Sequence, residues 1–311
     1  MKLNNSIKLS IANFNLFWKI LVYKVIAIGI ILLLLLPVVN QIHTHLTNAS
    51  FYNNLSELFN CAIFQGVFVI LERVYATFVS MGVAFTEFAA NNMFGLIYTL
   101  FVLVVVAPFL LYLSDVPASE SMYSYMTSLN KNSFTVNFVD NLGKSSSYSF
   151  LKTIMEIPFW AFFIGGFYGL LRLAQTSIEM QIVLPILMFI YLVFFVAFRK
   201  TILSGWAPSI VAFNKGAVRV FRKGIKSISR NFASTLSSFC VVTVCMFAIF
   251  LVFGLYSAVV VLPLMALINA VFGQVLFFES QGMDYYISPE NIVKTRKLEQ
   301  ADNIKKVKYK I

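Results

Sequence analysis

Six stretches of this chain stay apolar for long enough to cross a bilayer: about Ile20–Val39, Met93–Leu113, Thr153–Leu173, Gln181–Phe198, Leu236–Phe253 and Ser257–Phe278. A helix rises 1.5 Å per residue, so about 20 apolar residues span the roughly 30 Å hydrocarbon layer. No water is present there to satisfy backbone N–H and C=O groups, which leaves helices as the natural spanning element. The expected fold is therefore all-α: a polytopic transmembrane helical bundle of about six spans. Composition agrees. The chain is 59% hydrophobic and 12% charged, whereas roughly 25% charged is typical of soluble domains. The first run follows a basic stretch, as a signal peptide does. It is longer than the usual apolar region of such peptides and has no small-x-small site at its end, so it reads as a retained span.

The basic residues orient the bundle. The N-terminal segment carries Lys2, Lys8, Lys19 and Lys24, whereas the loop between the first two spans holds only Arg73. The second loop has Lys131, Lys144 and Lys152, and the third is a short turn after Arg172. The fourth contains Arg199, Lys200, Lys215, Arg219, Arg222, Lys223, Lys226 and Arg230 with no Asp or Glu, the fifth has none, and the tail is basic again. Lys and Arg collect on the cytoplasmic side, so the alternation predicts both termini inside, in a bacterial inner membrane. Residues 1–280 form the expected transmembrane bundle and 281–311 a basic cytoplasmic tail, with a helix start at Ser288 and Pro289. The net charge of +11 does not point to nucleic acid, because the basic groups flank apolar spans. Anionic headgroups are the natural counter-charge, at about 1 kcal/mol per Lys or Arg.

Leu55–Ala90 is apolar yet contains Glu57, Glu72, Arg73 and Glu87. A seventh span over 62–85 would place Glu72 and Arg73 near its centre, at a cost of a few kcal/mol each, and would break the charge alternation. The expectation is one or two helices at the outer interface or packed on the bundle, with Phe64, Phe68, Leu71, Tyr75 and Phe78 on the apolar face. Two inner loops also read as amphipathic. Met122, Tyr125, Met126 and Leu129 share one face of the first. Ile210, Phe213, Val218, Phe221, Ile225 and Ile228 share one face of the second, which is the candidate helix for the inner headgroup layer. Lys215, Arg219, Arg222, Lys223, Lys226 and Arg230 would contact lipid or a partner there.

An internal repeat runs through these loops. Lys8–Phe14, Lys144–Phe150 and Lys226–Phe232 each place a Lys six residues before a Phe that precedes a span, with Asn13, Ser149 and Asn231 before the Phe. The reading is three copies of a basic interfacial helix followed by a hairpin of two spans, in parallel orientation.

Chemistry-bearing motifs are absent: there is no His-Glu-x-x-His, P-loop, dinucleotide fingerprint or hydrolase elbow. His43 and His45, without an acidic or Cys cluster, read as solvated loop residues, and no metal or cofactor is expected. Cys240 and Cys245 lie in an apolar run and Cys61 has no partner on its side, so no disulfide framework is expected. The intramembrane polar candidates are Glu72, Arg73, Glu156 and Arg172, with Glu156 paired to Lys152 one turn away and Arg172 to Glu179. Gly165, Gly166 and Gly169 suit close helix packing, and Thr243, Asn269 and Gln274 would supply hydrogen bonds between helices.

The tail, Lys294-Thr-Arg-Lys-Leu-Glu-Gln followed by Asn303-Ile-Lys-Lys-Val-Lys-Tyr, resembles the ends of uncharacterised six-span membrane proteins of low-GC Gram-positive bacteria. The alternation of basic helix and hairpin is similar to theirs too. The resemblance implies location and lineage. Function is expected to be non-enzymatic, an accessory or scaffold component that engages the bilayer, a protein partner or a second copy of itself. The alternative is a transporter or permease subunit for an apolar or lipid-like solute.

Overall fold

The computed structural model describes residues 2–64, 67–128, 133–174, 178–229, 232–288 and 291–293. Its elements are α1 (Lys2–Ala12), α2 (Phe14–Asn48), α3 (Phe51–Phe64), α4 (Val67–Asn91), α5 (Met93–Phe101), α6 (Ala107–Tyr112), α7 (Asp115–Ser128), α8 (Phe134–Asp140), α9 (Leu142–Ala174), α10 (Ile178–Leu203), α11 (Trp206–Phe213), α12 (Ala217–Ser229), α13 (Phe232–Phe253) and α14 (Ala258–Gln281), then β1 (Tyr285–Ser288) and β2 (Asn291–Val293). Among the described residues six helical segments are long and apolar enough to span: Phe14–Asn48, Met93–Thr127, Leu142–Leu170, Ile186–Phe213, Phe232–Phe253 and Val259–Gln281. Each contains the core of one expected run, and the chain is an all-α, multi-pass membrane bundle.

Side-chain placement follows from the solvent. On α2 the faces divide: Val22, Ile26, Leu33 and Leu36 point outward, whereas Ile20, Lys24, Ala27, Ile31 and Val38 are buried. An outward apolar face is stable only against lipid. A π-helical turn at Val102–Val106 precedes Pro108. The widened turn accommodates the missing proline N–H and the ring's clash with the preceding turn.

The bundle has two unlike ends. At one end, called here the basic end, α1, α7, α8, α11 and α12 pack into the spans. Leu9, Phe17, Met122, Met126, Phe277, Phe278 and Tyr285 form the main core there, so the face of Met122, Tyr125 and Met126 is turned inward. Leu129 lies outside the described residues. At the far end, α3 and α4 form an antiparallel hairpin joined by Arg73–Glu57 at 2.5 Å and by the Asn54 amide on the Ala76 carbonyl at 3.5 Å. The hairpin rests on the spans through Phe78 against Phe167 and Phe59 against Phe250. The 62–85 stretch thus falls on two helices separated at residues 65–66, which lie outside the described set. Of its expected apolar face, Phe64, Phe68 and Leu71 carry no described side chain.

Of the three expected repeat corners, two fall on described residues, and their register is corrected. Short α1, α8 and α12 each lead into a span: α2, α9 and α13. The break before α9 is at Asn141, not at Ser149, which is buried inside the helix. Asn13 and Asn141 sit in matching conformations, φ −113 and −103°, and each donates its amide to the carbonyl four residues back, at 3.1 Å in both cases. Local side-chain bonding of this kind competes with the helix ladder and marks a corner. Asn231 lies outside the described residues.

Two further expectations are corrected. Ser288 does not start a helix. Tyr285, Tyr286 and Ser288 pair antiparallel with Val293, Ile292 and Asn291, and the β-branched and aromatic residues of both strands favour that pairing. Tyr285 is fully buried and accepts a hydrogen bond from Asn5 at 3.0 Å; burial pushes its phenol up to about 12. Of the glycine triad, only Gly166 is in tight contact. Its missing Cβ makes room for the Tyr191 hydroxyl, which donates to the Phe162 carbonyl at 3.0 Å, whereas Gly165 and Gly169 face open space.

Candidate functional site

Charge converges inside the basic half of the bundle. Lys24 lies on the buried face of α2 and is 6% exposed, and its ammonium donates to the Leu111 carbonyl at the end of α6. Next to it, Tyr23 donates to the Leu110 carbonyl at 2.6 Å. The two bonds satisfy carbonyls left without intrahelical donors where α6 ends.

Asp115 starts α7 and Lys152 lies on α9; their side chains meet at 2.7 Å. The Lys152 ammonium also stands 3.9 Å over the Tyr112 ring, a cation–π contact. Glu156, one turn along α9, is 4% exposed at its side chain, accepts the Tyr112 hydroxyl at 2.6 Å and lies 3.6 Å from Arg199 of α10. The expected Lys152–Glu156 pair is therefore replaced by two partners from other helices. Tertiary neighbours within hydrogen-bonding distance outcompete an i,i+4 contact worth about 0.5 kcal/mol.

These groups line one partly open cavity of about 310 Å³ between α2, α6, α9, α10 and α14, with Asp115 of α7 and Ala207 and Pro208 of α11 also in its wall. Lys24, Lys152, Arg199 and Lys200 supply four cations; Asp115 and Glu156 supply two carboxylates. Val196, Leu262, Met265, Ala266 and Ala270 form an apolar wall on α10 and α14. Asn269 also lines it, and its amide oxygen is buried without a hydrogen-bond partner. Tyr148, Trp206 and Phe221 stack edge to face beneath it, with Trp206 donating to the Ala217 carbonyl at 2.9 Å. Gly205 and Gly224 allow α11 and α12 to touch backbone to backbone there: a Cβ on Gly224 would sit 2.9 Å from the Gly205 oxygen and the Trp206 Cα.

Of the residues singled out from sequence, Glu156 belongs to this cluster. Glu72 is exposed on α4, and Arg73 pairs with Glu57 in the far-end hairpin. Arg172 is exposed near the end of α9 and donates to the Tyr168 hydroxyl at 2.7 Å; the Glu179 side chain lies outside the described residues. His43 and His45 are in the last turns of α2, not in a loop; His45 packs on Phe88 and faces Glu87 at 3.6 Å. No group of three metal-ligating side chains occurs among the described residues. Gln274 does bridge helices, donating to the Ser119 carbonyl at 2.9 Å and hydroxyl at 2.7 Å, while the Thr243 hydroxyl is buried without a partner.

Lys24, Asp115, Lys152, Arg199 and Lys200 were not read as a site, yet a signal existed. Lys24 interrupts an otherwise apolar run, and it stands eleven residues past Asn13 as Lys152 stands eleven past Asn141. The two lysines occupy equivalent positions in successive repeats.

Lys215, Arg219, Arg222, Lys223 and Lys226 are all exposed at the basic end, on or just before α12, and form no ion pair among the described residues. Arg230 lies outside the described residues. The buried face of α12 is Ala217, Val220, Gly224, Ser227 and Ile228. Val218 is 71% exposed and Ile225 is 37% exposed, whereas Ile228 and Ile210 are buried, so the expected apolar face divides between the protein and the exterior. At about 100° per residue, α12 divides into three stripes: the buried one, an apolar one of Phe221, Val218 and Ile225, and a basic one of Arg222, Lys226, Arg219 and Lys223. Compared with known proteins, the chain matches no family model, no curated protein and no solved structure.

Proposed function

We propose that this multi-pass membrane protein is a non-enzymatic accessory or scaffold component of the bacterial cell membrane, with both termini cytoplasmic, seated on anionic headgroups through α12. The stripe division of α12 carries the reading. An exposed apolar stripe beside a basic one matches a helix lying in the plane of a headgroup layer, and five exposed cations contribute on the order of 5 kcal/mol if additive. The absence of acidic residues from Arg199 to Arg230 removes internal competition for those cations. A protein partner with an acidic surface, or a second copy of the chain, would use the same face. The test is purification with native lipid and quantitative mass spectrometry. Anionic lipid should be enriched in the wild type and lost when Arg219, Arg222, Lys223 and Lys226 are all changed to Gln. A purified protein with no lipid enrichment and no stoichiometric partner would sink the proposal. The orientation is checked separately. In a chain with its cysteines replaced, a cysteine at Ser229 should resist an impermeant maleimide in intact cells, while one at Asn48 reacts; the reverse pattern inverts the topology.

The partly open cavity between five spans favours a second reading, a permease subunit for a lipid-like solute. Solute-dependent flux in proteoliposomes that is abolished by changes at the cavity wall would select it over the first.

A further inference from the structure

We infer that the cavity between α2, α6, α9, α10 and α14 is a binding site for a phosphate-type dianion, with room for an apolar tail. Four cations and two carboxylates line it, and the carboxylates are already engaged. Asp115 holds Lys152 at 2.7 Å, and Glu156 takes the Tyr112 hydroxyl and faces Arg199. Among the described residues, Lys24 donates to the Leu111 carbonyl alone, and Lys200 has no ion pair or hydrogen bond. The lining thus carries four cations against two carboxylates, an excess of two positive charges inside a bundle, where an unpaired charge is costly. A dianion neutralises both. Asn269 lines the same cavity from α14, and its amide NH2 is the end that can donate to an anion.

The opposite wall identifies the rest of the ligand. Val196, Met265, Ala266 and Ala270 are apolar, and Leu262, which lines the same cavity, is 41% exposed on the outer surface of α14. The cavity therefore continues from a cationic interior to the lipid-facing side, the shape suited to a headgroup within and a chain leading out. A volume of about 310 Å³ lies at the lower end of small-ligand sites, roughly 300–1,000 Å³. The charge is shared by free phosphate and by a phosphomonoester lipid headgroup; the apolar wall favours the lipid. The site is separate from α12 and stands under either functional reading.

The experiment is calorimetric titration of the full-length protein in detergent with three probes: inorganic phosphate, dihexanoyl phosphatidic acid and dihexanoyl phosphatidylcholine. Phosphatidic acid should bind saturably. Lys200→Met should weaken it about tenfold, the scale of one charge-assisted hydrogen bond, whereas the four-fold Gln variant of α12 should leave it unchanged. Lys200 makes no ion pair or hydrogen bond among the described residues and Met matches its apolar stem, so this variant should remain folded where Lys24→Met puts the end of α6 at risk. Equal binding of phosphate and phosphatidic acid assigns the site to the free anion; binding of phosphatidic acid alone assigns it to the lipid. Absence of binding, equal binding of phosphatidylcholine, or affinity unchanged in Lys200→Met overturns the inference.

Discussion

Lys152→Met probes the contact on which the charged cluster rests. The ammonium and the Asp115 carboxylate are 2.7 Å apart, with side chains 13% and 20% exposed. At an effective dielectric of about 20 their gross attraction is about 6 kcal/mol, much of it offset by the several kcal/mol needed to desolvate each ion. Removing the cation alone leaves Asp115 uncompensated and should cost about 3–5 kcal/mol. Adding Asp115→Asn removes the stranded charge, so the double variant should recover much of that loss, with a coupling energy of about 2–3 kcal/mol. The assay is equilibrium unfolding in mixed dodecyl sulfate and dodecyl maltoside micelles, followed by tryptophan fluorescence. A parallel cycle pairs Lys152→Met with Glu156→Gln, whose closest partners are Tyr112 and Arg199, and should show coupling below about 1 kcal/mol. If the Asp115 cycle is additive within about 0.5 kcal/mol, or if the Glu156 cycle shows the larger coupling, the assignment of partners is wrong and the cavity's charge balance with it.

Two glycine substitutions should have opposite signs. Gly224→Ala drives a methyl into the Gly205 and Trp206 backbone at 2.9 Å and should destabilise by about 1–3 kcal/mol, less about 1 kcal/mol of gained helix propensity. Gly143→Ala meets nothing within 4 Å and should stabilise by up to about 1 kcal/mol in the same unfolding assay. Tyr285→Phe should cost about 1–3 kcal/mol by leaving the buried Asn5 amide without its partner. The wild type should also lose a stability contribution in alkali. The Tyr285 phenol is raised from 10.0 to about 12 in the fold by burial, so the contribution is complete below pH 10 and falls as pH rises through 12. A Tyr285→Phe variant should lack this alkaline loss.

Topological features were legible where a single physical rule acts along the chain. Runs such as Met93–Leu113 identify themselves because lipid demands about 20 consecutive apolar residues, and Asn13 announces a corner because its amide bonds the backbone locally. The repeat was visible through the same kind of local mark, though Ser149 stood in for Asn141. Rotation about a helix axis was less legible. Val218, Ile225, Ile210 and Ile228 read as one face, yet Ile210 and Ile228 are buried while Val218 and Ile225 project outward, because on an interfacial helix lipid, protein and water all compete for faces and apolar character no longer means buried. The charged cluster was the least visible. Lys24 counted toward the basic N-terminal segment and Lys200 toward the fourth loop, and each fits that role in one dimension.

Hydrophobic length and charge order along the chain were enough to determine an all-helical, six-span bundle with short helices at its basic end, since both act on each segment independently of its neighbours. Tertiary structure alone decided which charges meet. Asp115 and Lys152 are 37 residues apart and Glu156 and Arg199 lie on different spans, so their attraction exists only after the helices pack. In the low-dielectric interior that packing creates, four cations face two carboxylates in one cavity, an imbalance that the order of charges along the chain does not reveal.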